Sequence, residues 1–200
     1  MEGTRRNLDI IIQQADRITK IIQQLLGFVR KKKPDQKLVD ISALLHTTSD
    51  LLEHQIQKQR VRVLKDLKEN LPPVSGDPDQ LQQAFLNLIL NAVQSMPQGG
   101  TLRLSASEKM VSREGLEEVQ KPSVEVLVED TGIGMNREIL KNIFNPFFTT
   151  KDTGTGLGLM VTEGIIHDHE GQIEVESEVG KGSVFKIYLP ILQKEMKDGG

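Results

Sequence analysis

The sequence predicts an α/β fold: a two-layer α/β sandwich, one sheet under a helical layer, preceded by a long helix. Three observations predict it. The hydrophobic period changes along the chain, from a heptad at the front to alternating and helix-type stripes behind it. The elements run α–β–α–β–α–β–β–α–α–β–β, mixing helices and strands without a repeating βαβ unit. The 200 residues are 37% hydrophobic and 26% charged, enough to bury one core behind a polar surface.

The front helix rests on Leu8, Ala15, Ile22 and Val29, seven apart, with Ile11, Ile18 and Leu25 as the second seam. Ile12 and Leu26 widen the stripe, which favours a bundle over a two-stranded coil. Pro34 stops this helix, and the cations of Arg30 to Lys33 suit its C-terminal end. Residues 1–33 are therefore set apart as a bundle helix, 34–37 as a hinge, 38–192 as the main domain and 193–200 as a tail.

In the main domain, "KLVDI" reads as a short strand. Ser42 reads as the cap of a helix with apolar positions Leu44, Leu45, Leu51, Leu52 and Ile56. "RVRVLKDL" alternates as a strand, and "NLPPVSGD" reads as a turn-rich connection. Asp77, Pro78 and Gln80 form a capping-box type of start for "PDQLQQAFLNLILNAVQSM", which stops at Pro97. "TLRLSASE" and "SVEVLVED" read as strands joined by a polar connection over 109–122. "REILKNIF" is a short helix and "GLGLMVTEGIIHDHE" a longer one, whose terminal His167 and His169 face free carbonyls. "QIEVESEVGKGSVFKIYLP" closes the domain as a hairpin turning at Gly180 and Gly182.

Bulk properties narrow the function. A net charge of −3 gives no basic field for nucleic acid, and the absence of Cys excludes disulfides and thiolate metal sites. No apolar run reaches the ~18 residues of a membrane span. A cytoplasmic location is expected, with a membrane-anchored parent left open.

Three stretches carry chemistry. Asn87 and Asn91 are four apart, so both amides leave one helix face beside an apolar stripe. Either they cap nearby loops, or an amide oxygen faces a hard cation such as Mg²⁺, which shares oxygen ligands with phosphates. "VEDTGIGM" ends a strand in Asp130, an acceptor for an exocyclic amine, while Gly132 and Gly134 permit close approach of a flat ligand. A plain turn is the competing reading of an isolated motif of this kind. Gly154, Gly156 and Gly158 lead straight into a helix, an anion site to which Lys151 adds a point charge. Phe144, Phe147 and Phe148 stand just before them as an anchor for a hinged lid.

In this order the motifs resemble the ATP-binding catalytic domain of sensor histidine kinases, within the superfamily shared with gyrase, the Hsp90 chaperones and MutL. "NLILNAVQSM" resembles the N box, "DTGIGM" the G1 box, "FNPFFTT" the F box and "GTGLGL" the G2 box, over roughly residues 38 to 190. "NAVQSM" and "PFFTTK" are most similar to the nitrogen-regulation group. The resemblance implies a Bergerat-type fold with a mixed sheet, and it makes the front helix the second helix of a dimerisation bundle.

It also implies site roles. Asp130 hydrogen-bonds the adenine amine, and Ser183 stands near the base. Asn91 ligates Mg²⁺, Asn87 faces the phosphates one turn earlier, and Lys151 steadies the outer phosphates, so Asn87 and Lys151 are the catalytic candidates. Gly132, Gly134, Gly154, Gly156 and Gly158 frame the lid. Phe147, Thr149 and Leu157, inside the F and G2 boxes, join the ATP-binding set. ATP-hydrolysing relatives carry Glu where this chain has Asn87, and an amide is no general base, so phosphoryl transfer is favoured over hydrolysis.

Two departures stand out. Many relatives carry Lys or Arg where this chain has Gln94, so one phosphate contact is missing or comes from Lys151. None of His46, His54, His167 and His169 has the acidic residue and nearby Pro that follow the family's phosphoacceptor. The chain is thus expected to be a kinase fragment acting on a histidine of a phosphoacceptor helix supplied elsewhere. Its parent is expected to be a homodimer serving a response regulator receiver domain. An ATP-binding, dimerising regulatory module without transfer activity is the alternative.

Overall fold

Alternation along three neighbouring strands makes the floor of the core. The computed structural model describes residues 35–112, 120–151 and 154–192. Strands β2 (Val61–Leu67), β4 (Gly100–Ser112), β5 (Gln120–Asp130), β7 (Gly182–Pro190) and β6 (Gln172–Glu178) lie side by side in that order. The β2–β4 pair is parallel and the others are antiparallel, so the sheet is mixed. Leu102 and Leu104 of β4, Val124, Val126 and Val128 of β5, and Phe185, Ile187 and Leu189 of β7 are all buried, every second residue on one face.

Helices cover that face: α1 (Ile41–Leu51), α2 (Glu53–Lys58), α3 (Pro78–Gln94), α4 (Arg137–Asn142) and α5 (Gly158–Asp168). The long helix α3 lies at the centre. Leu81, Ala84, Phe85, Leu88, Ile89, Ala92 and Val93 form its buried stripe at 3.6-residue spacing. Each of the large ones contributes about 1.5–3 kcal/mol by burial. A two-stranded ribbon, β1 (Lys37–Val39) against β3 (Val74–Gly76), lies beside the main sheet, and Ile191 bridges to Val74.

The start of α3 follows the sequence expectation. Asp77 caps it, its Oδ1 accepting from the N–H groups of Asp79 (3.0 Å) and Gln80 (3.3 Å), with Pro78 as the first helical residue. The N–H of Asp77 itself goes elsewhere, to Nε2 of the buried His169 at 2.9 Å. The other ring nitrogen of His169 lies 2.7 Å from the carbonyl oxygen of Ile165. The ring therefore donates from Nδ1 and accepts at Nε2, joining the end of α5 to the start of α3. The N–H of Asp35, in the expected hinge, donates to Asp77 Oδ2 at 3.2 Å, so the docked chain already begins there.

Four expectations are corrected. The cap of α1 is Asp40, whose side chain accepts from the Ala43 N–H; Ser42 is inside the helix and its hydroxyl donates to the Lys68 carbonyl. The single helix expected there breaks at Leu52, which buries Leu45, Leu52 and Ile56 but leaves Leu51 exposed. The turn-rich stretch before Asp77 contains strand β3. The polar connection is shorter than expected, because β4 and β5 keep pairing outward to Ser112 opposite Gln120. The heptad helix and the tail 193–200 lie outside the described residues.

Candidate functional site

Parity on β5 sets one end of the candidate site, called the base end after the role that the motif resemblance implies, as the cluster of Asn91 and Lys151 is called the phosphate end. Val124, Val126 and Val128 face the helices, and the next residue of that register is Asp130, opposite Leu102 on one side and Ser183 on the other. A carboxylate thus takes a core position at the strand end, 3% exposed, under the C-terminal end of α3. Its Oδ1 accepts from the Gly132 N–H at 2.8 Å and lies 2.7 Å from Ser95 Oγ. The Ser95 oxygen is also 2.7 Å from the Ala92 carbonyl, so its single proton is shared between two acceptors. Burial pushes the Asp130 carboxyl above its ordinary value, and the donors from Ser95, Gly132 and the Ser183 backbone, with the Lys151 charge, pull partly against it.

The turn after Asp130 is held just as closely. Thr131 Oγ1 accepts from the Thr101 N–H at 2.9 Å, and the Ile133 N–H donates to the Ser95 carbonyl at 3.0 Å. Gly134 has φ +64°, and a Cβ there would lie 1.9 Å from the Glu178 carbonyl oxygen. A Cβ at Gly132 would meet Ser95 Oγ at 2.1 Å. Across the sheet, Ser177 Oγ donates to the Gly182 carbonyl and accepts from the Met135 N–H, both at 2.8 Å. With that proton committed, Ser183 donates to Ser177 at 2.9 Å, leaving the Ser183 oxygen as an acceptor facing the base end.

The phosphate end is built on one face of α3. Asn87, Asn91 and Gln94 follow at i, i+4 and i+7. Asn87 Nδ2 donates to the Gly158 carbonyl at 3.3 Å, which joins α3 to the first residue of α5. The Lys151 ammonium donates to Asn91 Oδ1 at 2.9 Å and to Gln94 Oε1 at 2.7 Å. Burial lowers the Lys151 pKa, with Asp130 opposing. Leu157 is the N-cap of α5 and its side chain makes no capping bond, so the cap residue leaves the first-turn N–H groups without an acceptor of its own, an arrangement that suits an anion.

The aromatic anchor is corrected in detail. Phe144 packs against the core and Phe148 is half-buried, but Phe147 is 63% exposed with φ +65°. What Phe147 gives the site is backbone. Gly156, φ +69°, lies so close that a Cβ on it would come within 2.3 Å of the Phe147 carbonyl carbon. Thr149 Oγ1 accepts from the Lys151 N–H at 3.1 Å, and a Cβ at Gly154 would be 2.3 Å from that oxygen. Leu157 is 1% exposed, so its side chain is a packing residue and offers a ligand no surface.

The expected residues thus fall into two clusters, one around Asp130 beside Ser95, the C-cap of α3, and one along Asn87, Asn91 and Gln94 on its last turns. Sequence reasoning missed Ser95, which stands inside the N-box stretch with no role assigned to it, and Ser177, which sits in no motif. It read Gln94 as leaving one phosphate contact missing or supplied by Lys151; the structure makes Gln94 a hydrogen-bond partner of Lys151. Among the described residues no three His, Cys, Asp or Glu side chains gather as a metal site. The lone hard oxygen of Asn91 fits an ion that keeps most of its ligands from phosphate and water, as Mg²⁺ does. A cavity of about 580 Å³ lies elsewhere, lined by Lys109, Glu163, His167, Glu174 and Tyr188 among others, and contains none of these residues.

Residues 76–193 match the family described as histidine kinase-, DNA gyrase B- and HSP90-like ATPase. The chain belongs to this ATPase family. Its relatives place it near the histidine kinase branch. It is 36% identical over 185 residues to sporulation kinase E of Bacillus subtilis, covering 92% of this chain and 24% of that protein. It is 39% identical over 194 residues to sporulation kinase A of the same organism, covering 95% and 30%. The chain therefore spans about a quarter to a third of those kinases. The nucleotide-free catalytic domain of the histidine kinase ThkA superposes with a TM-score of 0.65 at 27% identity, over 78% of this chain and 95% of that one. Full-length ShkA in complex with AMPPNP superposes at 0.74 and 24% identity, over 94% of this chain and 40% of that one. The mixed sheet under helices is the fold of this ATPase family, as the motif order implied.

Proposed function

We propose that this chain binds Mg·ATP along α3 and passes the γ-phosphoryl group to a histidine of a separate phosphoacceptor helix. Asp130 accepts from the base amine, and Ser183 offers a second acceptor beside it. Asn91 Oδ1 would hold Mg²⁺, which when bound neutralises phosphate charge. Lys151 and the first-turn N–H groups of α5 face the outer phosphates. In the transfer, a P–N bond to the acceptor imidazole forms as the bond from the γ-phosphorus to the β–γ bridging oxygen breaks, and the imidazole N–H proton is lost.

The observation that carries this reading is residue 87. It is an amide, and its NH₂ group is engaged with the Gly158 carbonyl. Neither property lets it take a proton from water, so the site favours an external nucleophile over hydrolysis. His169 has both ring nitrogens engaged inside the domain and makes no acceptor. A response regulator receiver domain as the next recipient, and a homodimeric parent, follow from the same reading.

The test is incubation with Mg·ATP and a domain carrying the phosphoacceptor helix, followed by assay for acid-labile phosphate on histidine. Transfer by the wild-type chain is expected. Nucleotide binding without any transfer would replace this reading with a regulatory ATP-binding module.

A further inference from the structure

We propose that Gln94 is a positioning residue that seats the Lys151 ammonium on α3, so that its charge is held where the phosphates of a nucleotide would lie. This rests on the nucleotide reading above. Two amide oxygens, on Asn91 and Gln94, converge on one ammonium 60 and 57 residues away in sequence, at 2.9 and 2.7 Å respectively. An ammonium has three N–H donors, and two go to α3, which aims the third at an anionic oxygen. The two acceptors differ in what else they must do. Asn91 Oδ1 is also the oxygen suited to Mg²⁺, and one oxygen serves a dication and an ammonium together only against their mutual repulsion. Gln94 has no such second duty. It is the acceptor that keeps Lys151 in place when Asn91 turns to the metal.

The position of Gln94 fits this role. It is exposed at the last turn of α3, where its side chain contributes little to the core. Its contribution therefore lies in Lys151, whose backbone N–H donates to Thr149 Oγ1 and whose carbonyl accepts from the Gly154 N–H, while its ammonium reaches across to α3.

Two readouts test the seating, one of them independent of nucleotide. Trypsin needs the free ammonium of Lys151 to cut the bond that follows it. Gln94→Met, similar in length but without an acceptor, is expected to speed that cut in the nucleotide-free chain, followed by mass spectrometry. Gln94→Glu, which keeps an acceptor, is expected to leave it slow. By calorimetry Gln94→Met should weaken Mg·AMPPNP binding about 10-fold, the lower end of the scale of one hydrogen bond to a charged group, with the melting temperature unchanged. In a Lys151→Met background, Gln94→Met should change affinity no further. Wild-type cleavage and affinity in Gln94→Met, or additive losses in the double variant, would overturn the role. Failure of the wild-type chain to take up AMPPNP would overturn the nucleotide reading and this role with it, whereas uptake unaffected by Gln94→Met overturns the role alone.

Discussion

Asp130 is 3% exposed and shares a closed set of hydrogen bonds with Ser95, Gly132 and the Ser183 strand, whereas Phe147, at the other end of the site, is 63% exposed. At the base end the tethers come from the sheet, from the turn that follows β5 and from Ser95, the C-cap of α3. At the phosphate end the segment that carries Lys151 meets α3 through one lysine and two amide oxygens. The base end is thus shaped as the domain folds, and folding bears its cost in a buried carboxylate. The phosphate end is assembled by polar contacts that leave the core untouched. A substitution at the base end should therefore couple affinity to stability, and one at the phosphate end should separate them.

The largest expected effect comes from the phosphate end. Asn91→Ala should lower transfer to a supplied acceptor by about 100-fold or more, the usual scale for one electrostatic group, with little change in melting temperature. A comparable loss of stability would break the distinction. At the base end, Asp130→Asn should weaken AMPPNP binding about 10- to 100-fold by removing a charged acceptor, while raising stability near neutral pH. The sign follows from the raised pKa of Asp130. An acid whose folded pKa lies above its unfolded value, here 3.8, penalises the folded state when ionised. The wild-type chain therefore recovers stability as pH falls through the folded pKa toward 3.8. The advantage of the Asn variant in thermal melts should shrink over that same window.

Two glycines sharpen the contrast through stability alone. Gly134→Ala places a Cβ 1.9 Å from the Glu178 carbonyl at φ +64° and should cost about 2–3 kcal/mol, read from chemical denaturation. Gly158→Ala meets nothing closer than Asn87 Cγ at 3.8 Å and has ordinary helical geometry. The smallest effect is expected there, a gain within about 1 kcal/mol from helix propensity. A large loss at Gly158 would mean that the start of α5 is as tightly constrained as the base end.

What the sequence revealed follows the range of the forces involved. The start of α3 was legible because Asp77 and Pro78 act on their own first turn. The alternation of β4, β5 and β7 was legible because one face is wholly buried. Strand β3 was not, since its three residues pair with β1, more than 30 residues earlier, and at Val74 with Ile191, more than 100 residues later. The same holds for Ser42, whose hydroxyl is drawn from a capping role to the Lys68 carbonyl, 26 residues on. The site motifs were visible as patterns of Gly, Asn and Asp. Ser95 and Ser177 were not, because a serine in a turn or on a polar strand has no mark until the fold brings it to Asp130 or Ser183.

The most direct test of one nucleotide spanning both ends is a calorimetric titration of the wild-type chain and Asp130→Asn with AMPPNP in the presence of Mg²⁺. Uptake of one nucleotide per wild-type chain, sharply weakened in the variant, is expected. No uptake by the wild type, or equal uptake by both, would contradict it.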